Sequence, residues 1–245
     1  MENERFTEAL VEGAKELNVS LDEKQARAFL LYAETLIEWS GRMNLTALKD
    51  MEGILHKHFL DSLTAVPYIQ DGMTVADVGS GAGFPGIPIK IAMPGVRLTL
   101  MDSTKKKLVF LDHMIDLLQL DNTKTVHCRA EDAGRDPAHR ERYSAAVSRA
   151  VGRMDLLAEY CVPLVKPGGV FIAMKGPNAQ EELADAVELI ERLGGRIGYC
   201  DYTVIKSPIN QDMIERQLII IEKYRQTPAK YPRTSPELAK IHKKG

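Results

Sequence analysis

The chain has 245 residues, of which 44% are hydrophobic and 27% charged, and its formal net charge is −2. These values are ordinary for a globular protein of one large domain, and the net charge argues against a simple coat protein for nucleic acid. No apolar run reaches the length of a membrane span and the opening Met-Glu-Asn-Glu-Arg lacks a signal-peptide pattern, so we expect a cytoplasmic protein that enters no membrane.

The cysteines and histidines form no pattern typical of a disulfide set or a metal site. Cys128, Cys161 and Cys200 are far apart, odd in number and include no C-x-x-C pair, which predicts reduced thiols. His56 and His58 are the only closely spaced histidines and have no ligand cluster around them. We therefore expect no metal.

Helices are predicted for the N-terminal part of the chain. Leu21-Asp22-Glu23 is typical of a helix start. The apolar residues that follow with helical spacing are Ala26, Phe29, Leu30, Ala33, Leu36 and Ile37. A turn is predicted over 41–46, followed by one helix from Ile54 to Val66.

The pattern of strand, glycine loop and helix comes next. Thr74–Val78 is short, β-branched and apolar, as expected of a buried strand, and Ile87–Met93 can start a helix. Gly79, Gly81 and Gly83 lie between the two. Glycines let the backbone approach a ligand closely and a helix N-terminus offers unpaired N–H groups, so the pattern predicts a nucleotide pocket.

Two nucleotide fingerprints fit this loop. Residues 81–86 match the G-x-G-x-x-G of dinucleotide enzymes, whereas residues 77–83 match the acid-x-G-x-G-x-G of S-adenosylmethionine (SAM) methyltransferases. Asp77 favours SAM, because a carboxylate suits the ammonium and sulfonium of SAM and not an anionic pyrophosphate. Asp102, which ends the next predicted strand, can accept hydrogen bonds from ribose hydroxyls under either hypothesis.

Strands and helices then alternate, which predicts a parallel sheet covered on both faces. The predicted strands are Val96–Met101, Thr123–Cys128, Tyr143–Ser148 and Gly169–Lys175. The predicted helices are Lys105–Leu120, Met154–Val165 and Ala179–Leu193.

The alternation stops at two consecutive strand-like segments. Arg196–Ile205 and Arg216–Glu222 have no helix between them, which predicts a β-hairpin with a long loop. A seven-stranded, mostly parallel sheet closed by an antiparallel C-terminal hairpin is similar to the Rossmann-like α/β fold of SAM-dependent methyltransferases. A dinucleotide dehydrogenase does not usually end in this way.

Polar residues or glycines follow five predicted strands, and ligands of open α/β sheets bind at such strand ends. In chain order they are Gly79, Gly81, Gly83 and Phe84; Asp102, Ser103 and Thr104; Ala130 and Glu131; Arg149; and Lys175. Adenine is expected near Ala130 and Glu131, the ribose on Asp102, and the methionine part of SAM near Asp77 and Arg149. The structural alternatives are that Gly83 serves helix packing, that Glu131 caps a short helix, and that Arg149 pairs with a structural acid.

The fourth strand end, Ser148-Arg149-Ala150-Val151, restricts the methyl acceptor. Enzymes that methylate exocyclic amines of bases commonly have an acid or amide and Pro-Pro-aromatic there. Enzymes that make 5-methylpyrimidines need a cysteine, and the nearest, Cys161, is predicted to lie on a helix. Guanine N7 has an in-plane lone pair and needs neither group, so N7 is favoured. Small-molecule and protein acceptors stay open.

Several segments together resemble the bacterial ribosomal RNA small-subunit methyltransferase G family, also called glucose-inhibited division protein B, over nearly the whole chain. They are Trp39 with Asn44-Leu45-Thr46, residues 58–62, residues 77–88, Asp102-Ser103, Arg129-Ala130-Glu131, Ser148-Arg149-Ala150, Lys175-Gly176 and residues 215–218. The resemblance implies SAM-dependent methylation of a guanine N7 in 16S rRNA, in the decoding region of the small ribosomal subunit. It also implies SAM contacts at Gly79, Phe84, Asp102, Ser103, Thr104, Ala130, Glu131 and Arg149.

The resemblance further implies a polar rim toward the RNA. Arg149 and Lys175 are expected to be catalytic, and Asn44, His58 and Arg216 to bind RNA. For His58 and for Asp61 beside it, the alternative is a structural tie between the N-terminal helices and the sheet.

We expect a single methyltransferase domain, acting as a monomer. It comprises an N-terminal helical cap (1–70), a SAM-binding core (71–224) and a basic C-terminal tail (225–245). The tail either follows a phosphate backbone or is a solvated terminus. The alternatives to an rRNA methyltransferase are a SAM enzyme with a small-molecule or protein acceptor, a non-catalytic RNA-binding ribosome assembly factor and, most distant, a nicotinamide dehydrogenase.

Overall fold

The computed structural model describes residues 2–149, 152–177, 179–210 and 212–242. Ala150 and Val151 of the fourth strand-end motif, and residues 243–245 of the predicted tail, lie outside these residues. Within the described part of the chain, no helix combines the length and the apolar character that crossing a membrane requires.

Two long helices open the chain, α1 (Asn3–Glu16) and α2 (Glu23–Met43). The predicted start of α2 is confirmed. The Asp22 carboxylate accepts from the Gln25 amide, and the Gln25 side chain accepts from the Asp22 amide, both at 2.8 Å. This capping box satisfies two of the amides that a helix start leaves unpaired.

The helical segment that follows is broken, where the sequence predicted one helix. It consists of α3 (Met51–Ile54), a π-helical turn (Leu55–Leu60), α4 (Asp61–Leu63) and a 3₁₀ turn (Val66–Tyr68). π-Helical turns are rare and frequent at functional sites. This turn carries His58 and ends beside Asp61, and both side chains reach the site described below.

Seven strands form one sheet in the order β3-β2-β1-β4-β5-β7-β6. They are β1 (Thr74–Val78), β2 (Arg97–Asp102), β3 (Thr123–His127), β4 (Tyr143–Arg149), β5 (Val165–Lys175), β6 (Gly195–Lys206) and β7 (Met213–Lys223). β1 to β5 pair in parallel, and β7 runs antiparallel to both β5 and β6. The predicted mostly parallel sheet with an antiparallel C-terminal hairpin is therefore confirmed.

Helices cover both faces of this sheet. α5 (Gly86–Ala92) and α6 (Lys105–Leu117) share one core with the N-terminal helices, and α7 (Ala130–Ala133), α8 (Met154–Cys161) and α9 (Ala179–Arg192) cover the other face. Successive strand residues point to opposite faces. Val147, for example, belongs to the core beneath the N-terminal helices and Ala146 to the opposite core.

Buried aromatic rings fix the π-helical turn on the core. The Phe59 ring lies 4.9 Å from the Phe29 ring and 6.3 Å from the Phe6 ring, and all three side chains are fully buried. Aromatic pairs at such distances contribute beyond the area that they bury. The turn that presents His58 and Asp61 is thus packed on α1 and α2.

Two helices end three or four residues earlier than predicted, and α9 (Ala179–Arg192) ends one residue earlier. α8 ends at Cys161 and not at Val165, because Pro163 follows in a 3₁₀ turn and Val165 already pairs with Tyr143 in the sheet. α6 ends at Leu117 and not at Leu120, ahead of Gln119 in the left-handed region at φ 50°. The hairpin strands β6 and β7 are longer than predicted, so less of the chain is left to the loop between them.

Part of the C-terminal segment packs against the core, so the alternative of a wholly solvated terminus does not describe it. Arg140 donates to the carbonyls of Thr227 at 2.6 Å and Tyr231 at 2.7 Å. Arg233 pairs with the fully buried Glu159 at 2.5 Å, and α10 (Ser235–His242) follows. The guanidinium of Arg233 is therefore engaged by a protein carboxylate.

Candidate active site

The glycine loop is held by backbone hydrogen bonds to the neighbouring strand. The amides of Gly79 and Ser80 both donate to the Met101 carbonyl, at 2.9 and 3.0 Å, and the Gly81 amide donates to Asp102 Oδ2 at 2.9 Å. Gly79, Gly81 and Gly83 have φ values of 74°, 60° and 100°. Side chains rarely tolerate this region, so the loop depends on glycine.

Asp77 lies beneath the loop and is fully buried. Its Oδ2 accepts from the Gly86 amide at 3.0 Å, while its Oδ1 is buried with no hydrogen-bond partner among the described residues. Burial raises the pKa of Asp77 to about 7, against the lowering effect of the Gly86 amide. In this position Asp77 ties the end of β1 to the start of α5.

Gly83 serves packing, the structural alternative considered for it. A Cβ there would lie 2.6 Å from Ile87 Cδ1 and 2.7 Å from the hydroxyl oxygen of Tyr32. The same hydroxyl donates to the Ala82 carbonyl at 2.5 Å, so α2 contacts the loop directly.

A first cavity of about 400 Å³ opens at the carboxyl ends of β1, β2, β3 and β4. Its volume suits a small-molecule ligand. It is lined by Val78, Gly79, Met101, Asp102, Ser103, Thr104, Lys107, Cys128, Arg129, Ala130, Glu131, Arg149, Leu156 and Tyr160. The predicted Gly79, Asp102, Ser103, Thr104, Ala130, Glu131 and Arg149 thus come together, whereas Asp77, Gly81, Gly83 and Phe84 are not among the lining residues.

Asp102 is an acceptor in the first cavity that two backbone amides hold in place. Its Oδ1 accepts from the Thr104 amide at 2.8 Å and its Oδ2 from the Gly81 amide, while Lys107 Nζ lies 3.7 Å away. An ionised carboxylate has about four lone-pair sites, so it can still accept from two neighbouring hydroxyl groups of a ligand.

Sequence reasoning missed several residues of the first cavity. Leu156 and Tyr160 lie on α8, one helical turn apart, and no strand-end signal marks them. Cys128 ends the third strand motif and could have been found there. Burial, assisted by Asp132, raises the pKa of Cys128 to about 11, so its thiol is protonated at neutral pH.

A second cavity of about 370 Å³ adjoins the first, and Arg149 lines both. The residues around it are Lys57, His58, Asp61, Arg149, Met174, Lys175, Gly176 and Arg216. Besides Arg149, the lining includes three basic side chains, those of Lys57, Lys175 and Arg216. The predicted His58, Arg149, Lys175 and Arg216 therefore meet at one place.

Asp61 joins the two arginines of the second cavity. Its carboxylate is 1% exposed and accepts from Arg149 Nη1 at 2.9 Å and from Arg216 Nε at 2.8 Å. Arg149 comes from β4, Arg216 from β7 and Asp61 from the N-terminal helices. The structural tie considered for Asp61 is therefore present, and it is the acid that Arg149 pairs with.

A stack of three side chains lies behind this ion pair. The Phe84 ring is 4.4 Å from the His58 ring, and the Arg149 guanidinium lies over Phe84 at 4.9 Å. His58 also contacts Thr46 Oγ1 at 2.7 Å through Nε2. Burial, followed by the nearby Arg149 charge, lowers the pKa of His58 to about 4, so the imidazole is neutral at pH 7.

The structure places Lys175 at the edge of the second cavity and Asn44 outside both cavities. Lys175 Nζ is bound to Glu182 and to the Gly152 carbonyl, both at 2.7 Å, at the edge of the second cavity. Asn44 is exposed, ends α2 in the left-handed region and lines neither cavity. Asparagine is favoured at such a helix end for its conformation alone.

The described residues contain no group of three or more His, Cys, Asp or Glu side chains placed to hold a metal ion.

Comparison with known proteins identifies relatives along nearly the whole chain. The model of the family rRNA small subunit methyltransferase G matches residues 25–199. The Ribosomal RNA small subunit methyltransferase G of Acetivibrio thermocellus is 46% identical over 96% of this chain and 96% of its own length. The protein of the same name from Pelotomaculum thermopropionicum is 47% identical, over 93% of this chain and 95% of its own.

Solved structures share the fold at low sequence identity. The Haloferax volcanii methyltransferase solved with the Trm112 activator has a TM-score of 0.55 and 14% identity, covering 78% of this chain and 98% of its own. A methyltransferase from Thermoplasma acidophilum has a TM-score of 0.52 and 17% identity, covering 65% of this chain and 71% of its own. The sheet and its helices are those of Rossmann-like methyltransferases.

Proposed function

Because this chain belongs to the rRNA small subunit methyltransferase G family, we propose that it transfers the methyl group of SAM to N7 of a guanine in 16S rRNA. The chain is an enzyme that methylates rRNA of the small ribosomal subunit. The cofactor, the acceptor atom and the roles of individual residues are our proposal. The observation that carries it is the meeting of two cavities at Arg149.

The first cavity is proposed to hold SAM. Asp102 offers paired carboxylate oxygens at its centre, as a ribose diol requires, and the buried Glu131 offers a further acceptor. Gly79 leaves the backbone open to the ligand at the end of β1. The mixture of carboxylates with the apolar side chains of Leu156 and Met101 fits an adenosine better than a pyrophosphate.

The second cavity is proposed to receive the guanine and the phosphates beside it. Arg216 and Lys57 supply cations that RNA phosphates require. The neutral His58 ring offers a flat face, on which an unstacked base of single-stranded RNA can be held. Asn44 is proposed to contact RNA outside the cavity, from its exposed position at the end of α2.

The chemistry at the junction needs no base. SAM supplies an electrophilic methyl group on a cationic sulfur. The N7 lone pair forms the new N–C bond while the C–S electron pair goes to sulfur, and no proton leaves. Arg149 and Lys175 are therefore proposed to align the acceptor rather than to move protons. The protonated thiol of Cys128 and the buried Cys161 agree with a reaction that uses no cysteine nucleophile.

We propose that the helical cap and the core act as one domain, in a cytoplasmic monomer without a metal. The N-terminal helices and one face of the sheet contribute to a single hydrophobic core, which supports this view.

Methyl-labelled SAM and small ribosomal subunits from cells that lack this enzyme test the proposal. After incubation the rRNA is digested to nucleosides, and the label is expected in 7-methylguanosine. SAM binding without label in that nucleoside would reject the acceptor, and activity on free nucleosides would indicate a small-molecule enzyme. RNA binding that is independent of SAM, with no transfer, would indicate an assembly factor instead.

A further inference from the structure

The chain after β7 packs beside residues that line the first cavity. We call residues 226–238 the C-terminal strap. Arg135 donates to the Pro232 carbonyl at 2.9 Å, and Arg140 donates to the carbonyls of Thr227 and Tyr231. Both arginines follow α7, the short helix that carries Glu131 into the cavity. The strap is therefore bound to the segment that follows the helix presenting this acceptor.

An ion pair with a fully buried carboxylate fixes the strap to α8, which also contributes residues to the first cavity. Arg233 Nε lies 2.9 Å from Glu159 Oε1 and 3.0 Å from Oε2, and the Arg233 amide donates to Oε1 at 2.6 Å. Glu159 is fully buried and lies next to Tyr160, which lines the cavity. A carboxylate in this position depends on its partner, because an unpaired buried charge is strongly unfavourable.

The strap places a hydroxyl group on the acceptor of the first cavity. Ser235 Oγ donates to Glu131 Oε1, and Arg129 Nη1 lies 4.0 Å from the same oxygen. Glu131 is 3% exposed. Among the described residues, Ser235 makes the one hydrogen bond that the Glu131 side chain receives. Ser235 follows Glu131 by more than a hundred positions, and no motif on the sequence connects them.

We propose that Ser235 is a positioning residue for the cofactor, and that the C-terminal strap is part of the cofactor site. By binding Oε1, the Ser235 hydroxyl fixes the rotation of the Glu131 carboxylate and directs Oε2 to the ligand. Docking of the strap then contributes to SAM affinity without contact to SAM. This inference rests on the proposed function, because it takes SAM as the ligand of the first cavity.

The experiment is a double-mutant cycle read by SAM binding in titration calorimetry. The variants are Ser235→Ala, Glu131→Ala and the double variant, with Ser235→Thr to restore the hydroxyl. Ser20→Ala is the matched control, because Ser20 is exposed in the turn before α2. We expect Ser235→Ala to raise the Kd for SAM about tenfold, since it removes a hydrogen bond to a carboxylate.

The expected signature is that this effect disappears without its partner. In the Glu131→Ala background, Ser235→Ala should change the Kd less than about twofold, and Ser235→Thr should retain most of the wild-type affinity. In turnover, KM for SAM should rise while kcat stays within about twofold.

Two results would overturn the inference. An equal loss of affinity in both backgrounds would mean that Ser235 only stabilises the fold, and no loss in the Ser235→Ala variant would mean that Glu131 needs no positioning. Thermal denaturation of each variant identifies a folding defect. If Ser235→Ala has such a defect, the SAM affinity of Ser235→Thr decides whether the hydroxyl positions Glu131. A wild-type protein that does not bind SAM would refute the proposed function itself, which separates the two failures.

Discussion

Replacing Asp61 by Asn tests the ion pair that joins the N-terminal helices to the sheet. The change keeps the shape of the side chain and removes its charge. Both Arg149 and Arg216 then lose their partner, because each binds one oxygen of this carboxylate at 2.9 and 2.8 Å. We expect a less stable protein with an unchanged fold.

The size of the effect follows from burial. Breaking a fully buried pair on one side costs about 3–5 kcal/mol. Asp61 is 1% exposed, but the side chains of Arg149 and Arg216 are 13% and 26% exposed and can regain some water, so the low end applies. For a chain of 245 residues, the unfolding entropy is about 0.5 kcal/mol/K, so a loss of about 3 kcal/mol lowers Tm by about 6 °C.

Thermal denaturation followed by circular dichroism measures this change. The matched control is Glu23→Gln, which breaks the ion pair to Arg27 on the surface of α2, where both side chains are more than 70% exposed, at 80% and 72%. Surface pairs contribute less than about 1 kcal/mol, so the control should shift Tm by no more than about 2 °C. If Asp61→Asn shifts Tm no more than the control does, the reasoning about this buried pair is wrong.

Three further variants test the site. Gly79→Val should abolish SAM binding, because Gly79 has φ 74° at the cavity wall; calorimetry that finds unchanged affinity would move the pocket elsewhere. His58→Gln should flatten the pH dependence of stability. Burial and Arg149 lower the pKa of His58 from 6.5 to about 4, so the contribution of the neutral imidazole to stability is fully present above pH 6.5. Up to about 3 kcal/mol of the free energy of unfolding is lost as the pH falls to 4. Urea midpoints that change in parallel with pH for variant and wild type would contradict this. Arg216→Ala should raise KM for the rRNA about tenfold and leave the Kd for SAM unchanged, since Arg216 lines only the second cavity. An equal change in both constants would reject the assignment of SAM and RNA to separate cavities.

Local signals predicted most of the fold and half of the residues that line the first cavity. The capping residues of α2 and the glycines of the loop act on neighbours a few positions away, so their patterns are complete in a short window. The cavity residues that follow strand ends could be predicted for the same reason. Asp102, Ser103 and Thr104 directly follow β2, and parallel strands bring their carboxyl ends to one edge.

The features of the site that the sequence did not predict depend on long-range packing. Asp77 matches the methyltransferase motif, which predicts its carboxylate near the methionine part of SAM. The structure places it under the loop, on the Gly86 amide. An acid at this motif position therefore fits the local turn as well as a ligand, and the sequence does not separate the two. The Asp61 pair and the docking of Ser235 join residues from distant segments, for which no spacing rule exists.

The second cavity has to satisfy two opposite electrostatic demands in the proposed reaction. RNA phosphates favour cations, whereas the donor sulfonium and the methylated guanine are both cationic, and unpaired arginines would oppose them. Asp61 resolves this conflict. It binds Arg149 at the junction and Arg216 toward solvent, which leaves a single positive charge on the three side chains. Arg216 is the more exposed of the two arginines, at 26% against 13%, so its guanidinium is the one that the proposed RNA phosphates reach more readily. On this argument, the buried carboxylate that ties the N-terminal helices to the sheet also sets the charge at the point of methyl transfer.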